Sequence, residues 1–309
     1  MKIKFLSAVL SITILCPFCL NAFAIDGTSN SHVETLKSGI STTQVTALET
    51  GEETKIPEKP AVDQGPDIIV NGVSIREKAY TMNGNVTYVS IRSFVEALIP
   101  GAWVGSVNGA LCANGNGFSM EARPGDPYFV VNGRYIYIPT LIHYSNYVTL
   151  APIRTLGLAL GGAVSWDPAT QNIYVETCDV PLVSGDVYYN SNDLYWLSRI
   201  INAESGNQPL EGKIAVATVI LNRVANPQFP NTIEGVVCQR KNGVCQFSPV
   251  RNGSIRREPN QNSVIAAKLA LEGVRIANNS LFFNVAGLRS WASQNRPYVT
   301  TIADHSFYA

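Results

Sequence analysis

Histidine, net charge and long apolar runs are what this chain has least of. Its 309 residues include three histidines, His32, His143 and His305. None lies at ligand spacing from another histidine or from a cysteine, which argues against a zinc centre and against a cysteine–histidine nucleophile pair. Lysine plus arginine number 23, and so do aspartate plus glutamate. A formal net charge of zero removes any global electrostatic case for nucleic-acid binding. Beyond the N-terminus no stretch is long and apolar enough to span a membrane. Cysteine is sparse too, with six in all.

A chain of this length exceeds one average domain, so two folded units with linkers is the starting expectation. Lys2 and Lys4 give a short basic start, residues 5–20 are mostly apolar, and Ala22-Phe23-Ala24 has the small-x-small form of a cleavage site. Residues 1–24 therefore read as an export signal. An uncleaved membrane anchor is the competing reading, but the apolar run is near the short limit for spanning. The expected product is secreted and touches a membrane only through the signal before cleavage. Residues 25–65 are rich in Ser, Thr, Glu, Lys and Pro with few large apolar side chains. They read as a disordered linker. Export permits disulfides, and Cys112, Cys178, Cys238 and Cys245 allow three pairings. Cys238 and Cys245 flank an Asn242-Gly243 turn signal, so a bridge closing that hairpin is one candidate.

Residues 66–182 contain an internal repeat. Val70-Asn71-Gly72 recurs as Val131-Asn132-Gly133, an offset of 61 residues. Ile91-Arg92-Ser93-Phe94 with Ala97-Leu98 recurs as Ile153-Arg154-Thr155-Leu156 with Ala159-Leu160, an offset of 62. Agreement this close is the mark of a duplicated unit. Each half reads as strands turning at Asn-Gly, a short helix opened by the Ile-Arg pair, then another strand. The second half ends in a strand, an Asp167-Pro168 turn and a further strand. With its VNG strand, its helix start and its VSWDP hairpin, the segment resembles the N-terminal domain family first described in copper amine oxidases. That resemblance implies a small non-catalytic α+β module for interaction or wall anchoring, not copper chemistry. Tyr128, Tyr135, Tyr137, Tyr144 and Tyr147 can either stack on sugar rings or pack on strand faces; packing is the expectation.

From residue 183 onward the pattern turns helical. A helix capped at Ser191-Asn192 should run to Glu204 and stop at Gly206, and a second should start near Pro209 and end before Pro227. IAVATVILNRV within it is apolar nearly all round, as in a buried helix. Asn231-Thr232 should cap a short turn, residues 246–257 should form a polar loop, and a long helix should cover 262–276. On the first helix Leu194, Leu197, Ile201 and Glu204 follow steps of three, four and three, which places all four on one face. A carboxyl on an apolar face is poorly solvated, and poor solvation raises its pKa. Glu204 is thus the candidate general acid, against the plainer reading of a glutamate that only caps a helix end.

Residues 202–237, NAESGNQPLEGKIAVATVILNRVANPQFPNTIEGVV, resemble the opening of the spore-cortex-lytic cell-wall hydrolases of the SleB/CwlJ type, with one extra residue between Gly206 and Pro209. The likeness continues through Gln246-Phe247-Ser248-Pro249-Val250 and Asn252-Gly253-Ser254-Ile255 to the closing ADHSFYA. It implies a lysozyme-like, mainly-α (α+β) catalytic domain over residues 183–309 and cleavage of peptidoglycan glycan strands, with Glu204 as the catalytic acid. No partner carboxylate for Glu204 is evident among Asp186, Asp193, Glu211, Glu234, Glu258, Glu272 and Asp304. That favours a lytic transglycosylase over a water-using muramidase or glucosaminidase, which usually needs a facing pair. A non-catalytic wall-binding protein is the rival from another class. An amidase would need the zinc ligands or cysteine–histidine pair that are missing.

Gln246, Ser248 and Asn252 are candidates for hydrogen bonds to the glycan, Phe247 and Phe283 for ring stacking, and Asn284 for the groove. Arg223 reads as a structural residue, and His305 with Tyr308 as fold closure. From residue 183 on, twelve lysines and arginines face eight acids, a mild excess that suits an anionic wall or an ordinary solvated surface. No metal or organic cofactor is implied. The expected partner is peptidoglycan, in the cell wall or the spore cortex, and the expected whole is multidomain: a tethered α+β repeat module followed by the catalytic domain.

Overall fold

The computed structural model describes residues 65–309, apart from 78, 83–85, 116 and 179–180. The expected export signal and linker, with Cys16 and Cys19, lie outside the described residues. The first half of the module comprises β1 (Ile68–Val70), β2 (Val73–Ser74), β3 (Tyr80–Met82), β4 (Val86–Ser90), α1 (Ile91–Leu98), β5 (Trp103–Val107) and β6 (Ala110–Gly115). After an intervening β7 (Phe118–Ala122), the second half repeats the order: β8 (Tyr128–Val131), β9 (Arg134–Tyr137), β10 (His143–Ser145), β11 (Val148–Pro152), α2 (Ile153–Ala159), β12 (Gly162–Asp167) and β13 (Asn172–Thr177).

The Asn-Gly pairs turn these hairpins. Asn71 and Gly72 have φ of 49° and 79°, and Asn132 and Gly133 have 48° and 79°. Two consecutive positive φ values are what a tight hairpin turn of matching twist requires, and Asn-Gly meets them at least steric cost. Neither half closes alone. β4 pairs antiparallel with β11, with Leu150 opposite Ser90, while β1 pairs parallel with β13 from the other half. One core, built from Ile68, Phe94, Phe129, Leu156 and Val175 among others, runs through both. β7 breaks the symmetry. It wedges between β6 and β8 and gives a five-stranded antiparallel sheet in the order β5-β6-β7-β8-β9.

The C-terminal domain follows a short α3 (Gly185–Tyr188). It contains α4 (Ser191–Ser205), α5 (Leu210–Ala225), α6 (Ile233–Val237), the β14–β15 hairpin (Arg240–Lys241 and Val244–Cys245), α7 (Ser248–Asn252), α8 (Gln261–Leu271), β16 (Phe282–Val285), α9 (Trp291–Asn295), β17 (Tyr298–Ile302) and β18 (His305–Tyr308). α5 is the centre. Its residues from Gly212 to Ile220 are all buried, because α4 and α8 cover it and the β16-β18-β17 sheet closes another side with Phe307 against Ala215, Val216 and Val219. The fold class is thus two-domain, a β-rich α+β module before a helical domain with a small sheet.

The two domains meet along β9. Tyr128, Tyr135 and Tyr137 pack against the helical core, whereas Tyr144 and Tyr147 are exposed. Arg134 reaches the carboxylate of Glu272 at 3.0 and 2.7 Å. The Tyr189 hydroxyl donates to the same carboxylate at 2.8 Å and accepts the Tyr135 N–H. The Gly185 N–H bonds to the Asn132 carbonyl at 2.7 Å, and a Cβ at Gly185 would come within 2.5 Å of the Gly133 carbonyl oxygen. The junction therefore demands glycine there.

Local expectations need adjustment at several points. The cap of α4 is Asn190, whose side chain accepts from the N–H groups of Asn192 and Asp193. α8 stops at Leu271, because Gly273 takes φ 102° and ends it in the manner of a C-terminal glycine. Residues 246–257 are not simply a loop: α7 starts with Pro249 in its first turn, and Gly253 at φ 81° ends it before a 3-10 turn over Ser254–Arg256. The candidate Cys238–Cys245 bridge is not formed in the structure, where both thiols are free. Cys238 is the C-cap of α6, and the hairpin register places Arg240, not Cys238, opposite Cys245.

Candidate active site

Glu204 sits in the last turn of α4, beyond the fully buried Leu197, Ile200 and Ile201. The helix periodicity that buries those three carries Glu204 toward the interior, and it ends only partly exposed. Its carboxyl makes no hydrogen bond among the described residues. Burial holds its pKa above the ordinary carboxylate range, and the charge of Arg223 works against that rise without cancelling it. Among the described residues no second carboxylate contributes to the shift.

Arg223, on the last turn of α5, is buried, and its Nε–H donates to the Leu281 carbonyl at 2.8 Å. Burial pushes its pKa down to about 10, and Glu204 pulls in the opposite direction. The guanidinium lies 5.1, 5.2 and 5.4 Å from the ring centroids of Phe229, Phe247 and Phe282. A cation held among ring faces is favourable where water is scarce. From Phe282 the aromatic surface continues to Phe229 at 6.4 Å and to Trp291 at 5.6 Å. Trp291 is 58% exposed. Arg296 caps this open end, 4.9 Å from the Phe282 ring and 5.2 Å from Trp291. The result is an aromatic shelf with a buried cation at the Glu204 end and an exposed one at the other.

The candidate groove residues divide. Phe247 is buried in the helical core and supports Arg223, so it offers no open face for a sugar. Phe283 packs against His305 and Phe307 at 5.5 and 6.0 Å. Successive strand residues point to opposite faces, so its neighbour Phe282 takes the shelf position and Phe283 joins the core. Asn284 donates from Nδ2 to the Leu288 carbonyl at 2.8 Å, while its Oδ1 is buried without a partner. Asn252 accepts the Ser254 N–H through Oδ1, a local turn contact. Gln246 and Ser248 are exposed on the segment that enters α7. His305 is buried against Phe283, in keeping with fold closure. Two of the acids that might have faced Glu204 are engaged elsewhere. Asp304 accepts from Gln208 Nε2 at 3.0 Å, and Glu258 pairs with Arg199. Among the described residues no group of three or more His, Cys, Asp or Glu is placed to hold a metal ion, and no helix is long and apolar enough to cross a membrane.

Sequence reasoning passed over Phe229, Phe282 and Arg296, and gave Arg223 a structural part only. The signal for Arg223 was present: a charge that closes the apolar run 214–221, in a helix expected to be buried, has the same oddity that singled out Glu204.

Residues 207–308 match the cell wall hydrolase family, and residues 69–175 match the copper amine oxidase N-terminal domain family. The chain thus joins a copper amine oxidase N-terminal-type domain to a domain of the cell wall hydrolase family. Among curated proteins, the spore cortex-lytic enzyme of Oceanobacillus iheyensis is 32% identical over 133 residues, which cover 43% of this chain and 47% of that protein. The spore cortex-lytic enzyme of Bacillus cereus is 34% identical over 120 residues, covering 38% of this chain and 45% of that protein. The chain therefore spans about half the length of the curated relatives it matches. The solved catalytic domain of the germination-specific lytic transglycosylase SleB from Bacillus anthracis is 32% identical with a TM-score of 0.36, over 39% of this chain and 97% of that one.

Proposed function

We propose that this chain is a secreted peptidoglycan-degrading enzyme that cleaves glycan strands of the spore cortex as a lytic transglycosylase, with Glu204 as its one acid/base. In this reading residues 1–24 are the cleaved signal, 25–65 a tether, 66–182 a wall-anchoring module and 183–309 the catalytic domain. The observation that carries it is the half-buried carboxyl of Glu204 at the inner end of α4, held above the ordinary carboxylate range by burial, with Arg223 the one charge acting on it among the described residues.

The chemistry runs in two steps. Protonated Glu204 donates its proton to the oxygen bridging muramic acid C1 to the next sugar, and the C1–O bond breaks as positive charge builds at C1. Glu204, now a carboxylate, takes the proton of that muramic acid's own 6-hydroxyl. O6 then bonds to C1 and closes a 1,6-anhydro ring. Glu204 ends protonated, and no water is consumed. Burial favours the acid needed first, and Arg223 favours the carboxylate needed second. A retaining hydrolase would set a second carboxylate ~5–5.5 Å from the first, and an inverting one ~6.5–9.5 Å away to hold a water. The Phe282–Trp291 shelf supports the sugar rings, and Arg296 suits the carboxylates of lactyl and peptide groups. The curated relatives' name, spore cortex-lytic enzyme, supports the choice of substrate.

Mass spectrometry of cortex and vegetative peptidoglycan digested by the protein tests this. Anhydro-muramic ends that vanish with Glu204→Gln are expected. Reducing ends in their place would mean hydrolysis by water, and sacculi bound but uncut would mean a wall-binding protein.

A further inference from the structure

The repeat has diverged at one informative place. In the first half Arg92 is tied down: its Nη1 donates to the Val104 carbonyl at 2.7 Å and approaches Glu96 at 3.4 Å. Its counterpart 62 positions on, Arg154, is exposed and makes no hydrogen bond or ion pair among the described residues. The position matching Glu96 is Leu158, 81% exposed, so the acid that would hold Arg154 is gone. Arg154 instead borders a cleft of ≈ 400 Å3 between β4, the start of α2 and the edge strand β12. Thr87, Thr140, Thr155, Ser165 and Trp166 line it as well. Trp166 is substantially exposed, and the Thr140 hydroxyl is buried without a partner.

We infer that this cleft is a second glycan site, on the module and separate from Glu204, and that it takes an amino sugar bearing a carboxylate. The ligand class rests on the peptidoglycan reading above, where muramic acid units carry such a group. The physical match is independent of it. A volume of this size is in the range of small-molecule sites, roughly 300–1,000 Å3. A free guanidinium offers a two-pronged contact to a carboxylate. An exposed indole offers a flat apolar face to a sugar ring, and the unpartnered Thr140 hydroxyl gains a partner when hydroxyl or acetamido groups enter. The site would hold the wall near the catalytic domain while Glu204 works along a strand.

The test uses the full chain with Glu204→Gln, so that glycan is bound and not consumed, titrated calorimetrically with a muramic-acid-containing tetrasaccharide. Chitotetraose, the same length without carboxylates, is the comparison probe. Two classes of site are expected. Arg154→Gln should weaken one of them at least tenfold, and Leu158→Glu, which restores the acid of the first repeat, should do the same. Chitotetraose should bind that class at least fivefold more weakly than the muramic-acid probe. Both substitutions are at exposed positions, and unchanged thermal melts establish that the variants fold. Binding that ignores both substitutions, or equal affinity for chitotetraose at the Arg154-dependent site, overturns the inference. With Glu204 intact, Arg154→Gln should still cleave short soluble glycans at the parent rate. A parent that cleaves nothing yet shows Arg154-dependent binding would sink the enzymatic reading and leave this one standing.

Discussion

Arg134 and Glu272 are 138 positions apart and form the two-pronged ion pair that joins the module to the catalytic domain. The Glu272 side chain is 7% exposed and that of Arg134 28%, so water does little to screen the pair. Removing one member of a buried pair strands the other's charge. Glu272→Gln should therefore lower stability by ~2–4 kcal/mol, an amount seen when such pairs are broken. Because the tyrosines of β8 and β9 pack into the helical core, the two domains should unfold together. Chemical denaturation followed by both fluorescence and circular dichroism should give coincident transitions with a lower midpoint and an unchanged slope.

Glu204→Gln keeps the shape of the side chain and removes the transferable proton. Cleavage of cortex glycan should fall by at least ~10³-fold, within the span attributed to general acid–base groups. Product release followed over hours by chromatography checks this, with melting as the control for folding.

The same substitution should act on stability in a pH-dependent way. Burial raises the Glu204 pKa in the folded state, so the folded protein holds that proton to higher pH than the unfolded chain does. Stability from this group is therefore intact below the ordinary carboxylate range and is lost as pH rises through the raised value. Glu204→Gln should be more stable than the parent at neutral pH, and the gain should vanish on acidification. Denaturation midpoints at neutral and acidic pH decide it.

Arg223→Met should move the pH profile. In the proposed mechanism Glu204 acts first as the protonated acid, so kcat/KM should decline as pH rises through its pKa. The positive charge of Arg223 lowers that pKa, and its removal should shift the declining limb to higher pH. The Leu281 carbonyl loses its donor at the same time, which should cost ~1–3 kcal/mol of stability. A limb that stays in place would mean the two charges do not communicate.

Trp291→Ala removes the exposed end of the aromatic shelf. Stacking of this kind contributes ~1 kcal/mol beyond simple burial, so KM for glycan should rise about five- to tenfold with kcat little changed. Initial rates on soluble glycan fragments of graded length provide the measurement.

Much of this architecture was legible because it depends on local rules. The Asn-Gly pairs and the offsets of 61 and 62 defined a duplicated unit before any strand was placed. The spacing of Leu197, Ile201 and Glu204 put the carboxyl on the buried face, since helix geometry alone determines which residues share a side. Phe283 shows where local rules stop. Both phenylalanines of β16 fit a strand equally well, and only the pairing with β18 decides that Phe282 faces Arg223 while Phe283 meets Phe307.

The sequence by itself determined which side of its helix Glu204 occupies, where the hairpins of the module turn, and that the module is built twice, because backbone periodicity and turn sterics act over a few residues. Only the tertiary structure decided that Arg223 opposes the rise in the Glu204 pKa, that Tyr128, Tyr135 and Tyr137 join two domains, and that Arg154 is free where Arg92 is bound. Those outcomes depend on side chains brought together from distant positions, and burial and charge act through space rather than along the chain.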